Sequence, residues 1–424
     1  MGPLRILIAS DTYPPQMNGA AIATRRLALG LARRGHQVAV VAPSMRFKDE
    51  TGKETVAGGG ESTLFRVKSF PAKPVHPQFR VTSWFGITGK LERMVDGFHP
   101  DIIHIQNHFI LGRACLKIAA RRGIPIVGTN HFMPDNLFEF IPGPLRAPVS
   151  AIMWGHFLRT YNRLDCVVAP SHAGRQMLEA IDLTARTRVI SNGIDLDRYR
   201  RVDPPPSIFL KYAIRQDCPT FVTVGRLERD KNVPLILKAT ALVSQQEPVQ
   251  TVIVGTGKDE SEFRGLARRL QLGPAAIFTG LVPEEDLPYL YSLGDIYIGA
   301  GAAELQGMAV MEAMAAGLPV LAANAVALPE LVRDGENGYL FDLDPRSLAD
   351  RMLLLLDHRE KWQEMGQRSL AYIQEHDTRH TLAQVEALYR EVIAAPGVSL
   401  VGRGLTLTGE ETDGTPGTPG PQGA

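Results

Sequence analysis

The sequence predicts an α/β protein in which two doubly wound domains face each other across a cleft. The chain has 424 residues, 44% of them hydrophobic, which is enough apolar material for two full-sized cores. Short apolar segments alternate with amphipathic helical segments on both sides of a proline-rich joint at Asp203–Pro206. Segments that are apolar at every position are typical of strands buried on both faces of a parallel sheet, with helices covering those faces.

The first series of elements, predicted to form a domain over residues 1–202, begins with a strand at Arg5–Ala9. A loop at Asp11–Gly19 leads to a helix from about Ala21 to Arg34, which Gly35 ends. The order strand, loop, helix, strand builds parallel sheets. Further strands are expected at residues 37–42, 101–105, 125–129 and 166–170, and a helix at 112–122.

The second series follows the joint and is predicted to form a domain over residues 203–377. Its strands are expected at residues 220–224, 251–254, 276–278, 296–298 and 319–322. From Pro345 to about Ala394 the pattern is helical, and the last helix, at about 378–394, could pack back on the first domain. The Gly- and Pro-rich tail at 409–424 lacks the apolar residues of a core and is predicted to be disordered.

Charge is distributed unevenly along a chain whose formal net charge is only +1. Residues 1–200 contain 26 Lys+Arg and 15 Asp+Glu, whereas residues 201–424 contain 20 and 30. The near-neutral total argues against a dedicated nucleic-acid-binding protein, so no nucleic acid partner is expected. The basic first half and acidic second half indicate that the two domains have different tasks.

Cysteine content and hydropathy indicate a cytoplasmic protein. Cys115, Cys166 and Cys218 are scattered and form neither a disulfide framework nor a metal-ligand cluster, so a reducing compartment is expected. The apolar run at the N-terminus is too short for a signal peptide. The segment most similar to a membrane span, Met308–Leu328, is interrupted by a glycine and a proline, so a buried helix followed by a strand explains it better.

Two glutamates lie around the start of a predicted helix in the second domain. Glu304 precedes the helix and Glu312 lies in its second turn. A helix start can hold a phosphate on its free N–H groups, so Gln306, Gly307 and Met308 are candidate donor-binding residues. A carboxylate before the helix can accept hydrogen bonds from sugar hydroxyls, and one inside it can hold a ribose diol. On spacing alone, a surface helix with solvated glutamates explains the same pattern.

This stretch closely resembles the E-x7-E motif of family 4 retaining glycosyltransferases, whose GT-B fold has two Rossmann-like domains. The resemblance covers about residues 4–394, with several motifs in the order of the family. It implies that Glu304 contacts the hydroxyls of the donor sugar and that Glu312 contacts the ribose of the nucleotide.

The segment Gly225–Asn232 matches the G-R-L-x-x-x-K-N segment of the same family and contains Arg226 and Lys231. The end of a strand would here deliver two cations spaced for one diphosphate. A nucleotide diphosphate leaves readily only when its developing charge is neutralised, so both are candidate catalytic residues that would act in place of a metal. A solvated basic loop is the alternative.

Two segments of the first domain also resemble the family. Asn18–Gly19 resembles its glycine-rich loop, in which Gly19 would let the backbone approach the donor, although an Asn-Gly pair alone predicts only a turn. His131 follows a predicted strand and resembles the active-site histidine near the 6-hydroxyl of the sugar, which makes it a candidate catalytic residue. A lone histidine at a strand end is as often structural, and His104 and His108 are less favoured.

Two patterns that suggest bound groups are not supported by their surroundings. Asp195–Asp197 and Asp342–Asp344 have the D-x-D pattern of metal-binding glycosyltransferases with another fold, but neither has further ligands nearby, so no metal is expected. Gly255–Gly257 follows a strand, but Glu260 stands where a dinucleotide fingerprint needs glycine. No cofactor is expected beside the donor substrate, a nucleotide-diphosphate sugar such as a UDP-sugar.

The acceptor is predicted from one motif and from charge. Glu304–Gly307 is similar to the E-T-Q-G form of the motif in diacylglycerol α-glucosyltransferases, with leucine in place of threonine. Basic segments with aromatic residues at 79–93 and 145–159 are typical of segments that lie on an anionic membrane, although helices with core aromatics explain them equally. We therefore expect a hexose, glucose, to move from UDP-glucose to a lipid such as diacylglycerol. With a lipid acceptor, this cytoplasmic protein would be peripheral on the inner face of the cell membrane.

Retention by double displacement would need a carboxylate nucleophile beside the anomeric carbon, and no residue of the sequence is marked for that role. The resemblance instead favours front-face attack, in which the departing phosphate takes the proton of the acceptor. Three alternatives remain: the same chemistry on a soluble acceptor, a nucleotide-sugar epimerase on the same fold, and a non-catalytic protein that binds nucleotide sugars.

Overall fold

The computed structural model describes residues 2–16, 18–55, 59–71, 80–133 and 143–395. Over these residues the chain forms two α/β domains, as predicted, each built on a largely parallel sheet. The predicted disordered tail at 409–424 lies outside the described residues. Among the described helices, none has the length and apolar character needed to cross a bilayer.

The first domain contains the following strands and helices. The strands are β1 (Arg5–Ala9), β2 (Gln37–Pro43), β3 (Glu50–Thr55), β4 (Glu61–Val67), β5 (Ser69–Pro71), β6 (Arg80–Thr82), β7 (Ile102–Ile105), β8 (Ile126–Thr129), β9 (Cys166–Ala169) and β10 (Thr187–Val189). The helices are α1 (Gly19–Arg33), α2 (Ile87–Phe98), α3 (Ile110–Arg122), α4 (Arg146–Tyr161) and α5 (His172–Ala180). The main sheet has the order β10-β9-β8-β7-β1-β2-β4-β3, and β5 pairs with β6 in a separate antiparallel ribbon.

Several of these strands were not expected from the sequence. The strand β3 is the antiparallel edge of the main sheet, and its residues are exposed or half-buried and mostly polar. A polar edge strand has neither an apolar run nor an alternating pattern, so hydrophobicity does not reveal it. The helix α1 begins two residues before its predicted start, because the Asn18 side chain accepts a hydrogen bond from Ala21 N–H at 2.9 Å and caps it.

The second domain and the helices beside it complete the fold. The strands are β11 (Thr220–Val224), β12 (Gln250–Val254), β13 (Ala276–Gly280), β14 (Ile296–Gly299), β15 (Val320–Ala323) and β16 (Gly338–Phe341). The helices are α6 (Leu196–Tyr199), α7 (Pro206–Tyr212), α8 (Val233–Ser244), α9 (Glu260–Arg269), α10 (Leu287–Ser292), α11 (Met308–Ala315), α12 (Leu328–Leu331), α13 (Pro345–Asp357), α14 (Trp362–Tyr372) and α15 (Thr378–Ala394). The sheet is parallel throughout, in the order β13-β12-β11-β14-β15-β16.

The C-terminal helix α15 lies against the first domain. Its Leu382, Val385 and Tyr389 are buried in the core that covers one face of the first sheet. The Tyr389 hydroxyl lies 2.6 Å from His104 Nδ1, and Glu386 pairs with Arg34 at 2.5 Å. The chain therefore crosses twice between the domains, and its last described helix completes the core of the first one.

Both sheets reverse their strand order at one point, between β1 and β7 in the first domain and between β11 and β14 in the second. Crevices form outside the carboxyl ends of parallel strands at such switch points. The residues that follow these strands line a large cleft between the domains. The fold therefore brings the loops after β1, β8, β11 and β14 to one place.

Candidate functional site

A cluster of opposite charges lies where β11 and β14 end. Lys231 Nζ lies 2.5 Å from Glu304 Oε1 and 3.5 Å from Asp230 Oδ2. The Arg226 guanidinium contacts Glu228 and lies 3.3 Å from Asp230 Oδ2. Asp230 therefore joins the two predicted cations into one group beside the predicted sugar-binding glutamate.

This cluster keeps Lys231 charged although it is largely enclosed. Burial by itself would lower the pKa of Lys231, but the carboxylates of Glu304 and Asp230 outweigh that effect and raise it. The cluster contains two cations and three carboxylates, counting Glu228. A diphosphate bound here would meet cations that are already held in place.

Backbone close to Glu304 is shaped to fit that side chain. A Cβ atom at Gly301 would lie 2.7 Å from Glu304 Oε1, so glycine at this position leaves room for the carboxylate. The amide of Asn232 donates to the carbonyl of Ala300 at 2.8 Å and ties the β11 turn to the end of β14. The ion pair of Lys231 with Glu304 thus rests on two connected loops.

The start of α11 faces the other domain as well as the cleft. Gly307 has φ of 76°, and a Cβ atom there would lie 2.6 Å from Leu328 Cδ2, so the turn into Met308 favours glycine. The Gln306 side chain accepts from Asn192 N–H at 3.0 Å and donates to Ser191 Oγ at 2.6 Å. Its predicted role in donor binding stays a prediction, and its amide is engaged in a contact between domains that the sequence did not indicate.

Glu312 is buried at the cleft, one helical turn inside α11. Its Oε2 accepts a hydrogen bond from the Tyr291 hydroxyl at 2.8 Å, and its Oε1 lies 3.9 Å from Nη2 of Arg26 on α1. Burial raises the pKa of Glu312, and the charge of Arg26 opposes that rise. Arg26 also donates to the carbonyl of Gly193, so this arginine contacts the second domain and the segment that leads to it.

The two predicted site residues of the first domain also line the cleft. Gly19 is the first residue of α1, and no atom lies within 4 Å of a Cβ atom built on it. There is therefore open space beside this residue at the cleft, and the Asn-Gly pair is a helix start rather than a simple turn. His131 follows β8, and its Nε2 lies 2.8 Å from Oε1 of Gln106.

The other candidate histidines have structural surroundings. His104 is buried between the Tyr389 hydroxyl and Thr129 Oγ1, which lies 2.8 Å from its Nε2. His108 is enclosed by aromatic rings, with the centroid of Phe132 at 4.6 Å. Burial lowers the pKa of His104 to about 3 and that of His108 to about 4.

The D-x-D segments cap helices. Asp195 Oδ1 accepts from Arg198 N–H at 3.1 Å, and Asp344 Oδ2 accepts from Arg346 N–H at 2.8 Å. Within the described ranges, no three His, Cys, Asp or Glu side chains are grouped as metal ligands would be.

The basic aromatic segments differ in the exposure of their aromatic rings, although Ile152 of the second segment is 61% exposed. Trp84 and Phe85 are 62% and 76% exposed, whereas Phe157 of the second segment is fully buried, so core packing explains that residue. Phe47 and Phe70, which the sequence did not single out, are also exposed and form an edge-to-face pair at 4.7 Å.

Phe47, Phe70 and Val81 are close in the fold, and Trp84 and Phe85, whose ring centroids lie 5.3 Å apart, follow β6 in the chain. Lys68 Nζ lies 3.6 Å from the ring centroid of Phe47, and Phe70 is paired with Val81 across the β5–β6 ribbon. We call the set the aromatic edge; it consists of Phe47, Phe70, Val81, Trp84 and Phe85.

Comparison with known families and proteins matches both halves of the chain. A Glycosyltransferase Family 4 model matches residues 17–198, and a model for Glycosyl transferases group 1 matches residues 206–371. An alpha-monoglucosyldiacylglycerol synthase of Streptococcus pneumoniae is 26% identical over 344 residues, 80% of this chain and 75% of that one. A GDP-mannose-dependent alpha-mannosyltransferase of Mycobacterium tuberculosis is 26% identical over 373 residues, 87% of this chain and 92% of that one.

Solved structures show the same fold. A sucrose-phosphate synthase from Thermosynechococcus elongatus superposes with a TM-score of 0.77 at 20% identity, covering 92% of this chain and all of the other. HepE of Anabaena, solved in complex with UDP-glucose, has a TM-score of 0.69 at 20% identity with the same coverage. The predicted two-domain fold and family are confirmed: the chain is a glycosyltransferase of the GT-B fold, in which a family 4 domain precedes a group 1 domain.

Proposed function

We propose that this glycosyltransferase moves glucose, with retention, from UDP-glucose to a lipid such as diacylglycerol on an anionic membrane surface. The proposal rests on the continuity between the aromatic edge and the cleft. Arg80, Val81 and Thr82 of β6 line the cleft, and Val81 also belongs to the aromatic edge. An acceptor held in a membrane beside this edge would lie next to the site that holds the sugar.

The donor half of the proposal is supported by the charge cluster. Arg226 and Lys231 would neutralise the diphosphate, Glu304 would accept hydrogen bonds from sugar hydroxyls, and Glu312 would hold the ribose. These cations are positioned by carboxylates before any donor arrives, so little reorganisation is needed when charge develops on the leaving group. Fixed cations of this kind can supply the charge neutralisation that a metal supplies elsewhere.

The transfer step balances without a further reactant. The bond between the anomeric carbon and the diphosphate oxygen breaks, and a bond from that carbon to the acceptor oxygen forms on the same face. The acceptor proton passes to an oxygen of the departing diphosphate. The side chains of Arg226 and Lys231 stabilise the charge on that diphosphate, while Glu304 and His131 orient the sugar.

The acceptor half is supported by relatives and by the surface. The Streptococcus pneumoniae relative is named for a product built on diacylglycerol. The aromatic edge combines exposed rings with a cation, since Lys68 lies on Phe47, and such surfaces suit the interface of an anionic bilayer. On this proposal the protein is cytoplasmic and peripheral on the inner face of the cell membrane.

Incubation with UDP-glucose and phosphatidylglycerol vesicles containing diacylglycerol, with products identified by mass, tests the activity. We expect glucosyl-diacylglycerol with an α linkage. Transfer only to a soluble sugar would show the alternative acceptor class, and conversion of UDP-glucose to an epimer without acceptor would show an epimerase. Turnover of GDP-mannose but not of UDP-glucose would show that the donor assignment is wrong.

Vesicle flotation tests the membrane surface separately. Replacing Trp84 and Phe85 together by serine should weaken binding to anionic vesicles about 10-fold or more, since each of these exposed rings contributes about 1 kcal/mol on burial. Leu210→Ser is the matched control, because Leu210 is 83% exposed on α7 of the other domain. Absence of flotation by the unmodified protein at low salt would contradict the proposal.

A further inference from the structure

Gln106 is a buried polar residue at the carboxyl end of β7, and the sequence assigned it no role. Only 2% of it is exposed, and its backbone N–H donates to the carbonyl of Ala9 at 2.8 Å. The strand β7 pairs with β8, so the side chain of Gln106 reaches the loop that follows β8. Its partner there is His131, the second residue after that strand.

The contact between these two side chains determines where the proton of the imidazole lies. Gln106 Oε1 is 2.8 Å from His131 Nε2, and an amide oxygen can only accept a hydrogen bond. With the amide in this orientation, His131 Nε2 carries a proton, whereas a turned-over amide would donate to Nε2 and give the opposite tautomer. Burial lowers the pKa of His131 to about 4, so near neutral pH the ring is uncharged and Nδ1 has no proton.

The surroundings of the pair add no charge that would change this state. His104 is the titratable side chain that interacts electrostatically with His131, and burial lowers its pKa to about 3. For His131 itself, burial is the cause of the lowered pKa, with no charged side chain of the described residues contributing. The tautomer is thus set by the hydrogen bond to Gln106.

Burial of the Gln106 side chain at this place also costs free energy of folding. Its Nε2 is enclosed and has no hydrogen-bond partner among the described residues. A buried donor without a partner costs about 1–3 kcal/mol, which a leucine of similar size would avoid. A specific use of the amide oxygen explains why a glutamine can stand here.

We propose that Gln106 is a positioning residue that holds His131 as the Nε2–H tautomer, so that Nδ1 accepts a hydrogen bond from a hydroxyl of the transferred sugar. The hydrogen bond from a sugar hydroxyl to Nδ1 rests on the proposed function, whereas the tautomer of His131 does not. In this arrangement His131 orients the sugar as an acceptor and donates no proton in the reaction.

Nitrogen-15 NMR of the histidine rings in the full-length protein reads the tautomer directly, without substrate. We expect His131, assigned by loss of its signal in His131→Gln, to be Nε2-protonated and not to titrate between pH 5.5 and 8, because its pKa is about 4. In Gln106→Leu the ring should lose this preference, and glucose transfer from UDP-glucose should fall about 3-fold to 10-fold. An Nδ1-protonated ring in the unmodified protein would overturn the proposal.

The variant Gln106→Glu adds a test that a purely structural role would not satisfy. A carboxylate beside Nε2 should raise the pKa of His131, so activity should be lost near pH 6 and recovered at higher pH. Gln37→Glu makes the same charge change at the amino end of β2, away from the carboxyl edge of the sheet where Gln106 lies, and should keep the original pH profile. An unshifted profile in Gln106→Glu, with unchanged thermal unfolding, would also overturn the proposal.

If Gln106→Glu does not fold, the NMR spectrum of the unmodified protein and the Gln106→Leu variant still decide whether Gln106 sets the tautomer of His131. If UDP-glucose is not turned over by the unmodified protein, the proposed function fails while the tautomer measurement remains valid.

Discussion

Removing the charge of Lys231 tests the assignment of the cation cluster. In the structure Lys231 Nζ lies 2.5 Å from Glu304 and 3.5 Å from Asp230. After Lys231→Ala, the diphosphate would meet one cation, Arg226, and three carboxylates: Glu228, Asp230 and Glu304. The variant both removes an attractive charge and leaves neighbouring carboxylates less neutralised.

The expected loss follows from the kind of contact removed. A preorganised group aimed at charge that develops in the transition state is worth about 3–4 kcal/mol, or about 100-fold to 1,000-fold in kcat. Lys231→Arg keeps the charge but replaces a compact ammonium by a planar fork, so we expect only partial activity. Stability should change little, within about 1 kcal/mol, because the Lys231 and Glu304 side chains each remain 25% exposed at the cleft, where water screens the pair.

The assay is initial-rate transfer from UDP-glucose at saturating donor and acceptor, with thermal unfolding measured in parallel. Arg229→Ala is the matched control, since Arg229 lies in the same turn but pairs with Glu262 at 3.1 Å on the exposed surface. It should retain activity within about 2-fold. If Lys231→Ala kept more than a tenth of the original kcat, or if Arg229→Ala lost as much, the assignment would be wrong.

Two further changes probe the nucleotide side and the first domain. Glu312→Gln should raise the KM for donor about 10-fold with a smaller effect on kcat. The amide oxygen can still accept the hydrogen bond from the Tyr291 hydroxyl, but it binds a ribose diol less strongly than a carboxylate does. An unchanged KM in donor titrations would contradict the ribose assignment. The Asp11 carboxylate accepts a hydrogen bond from Leu111 N–H at the start of α3, and burial raises the pKa of Asp11 to about 7. The folded state therefore binds the proton of this carboxyl more tightly than the unfolded state does. As a result, the folded state loses stability as pH rises from about 4 to 7. Asp11→Asn should therefore be more stable than the unmodified protein at pH 8, by at most about 4 kcal/mol, and the difference should vanish below about pH 4. Urea unfolding at both pH values measures the difference in free energy of unfolding. A variant less stable than the unmodified protein at pH 8 would refute the reasoning.

The strands that position the site could be predicted from the sequence because they are buried on both faces. Each has an apolar residue at nearly every position, and this pattern can be recognised without knowing which strands and helices pack against it. Arg226, Lys231, Glu304 and His131 could be singled out for a related reason. They lie in the loops that follow such strands, and in a parallel sheet the carboxyl ends meet at one edge.

The edge strand β3 and the Phe47–Phe70 pair of the aromatic edge were missed for the opposite reason. The residues of β3 are polar, and Phe47 and Phe70 are far enough apart in sequence that no local pattern joins them. Hydrogen bonds of Ser44 with Val67 and Ser69 bring the loop that contains Phe47 beside Phe70. Exposure, which decides whether an aromatic residue belongs to a core or a surface, likewise cannot be read from the residue type, as Phe157 and Phe85 show.

The sequence by itself determined the two α/β series, the family and the residues that follow the central strands. Tertiary structure alone decided which of these residues touch: Arg26 with Glu312, Gln106 with His131, and Gln306 with Ser191, 115 residues apart. It also decided which residues of α15, the helix that the sequence already suggested could pack back on the first domain, enter the core of that domain. Local patterns encode the elements because propensity and burial act over a few residues. Contacts between domains depend on how whole sheets and helices pack, and that information is spread over the entire chain.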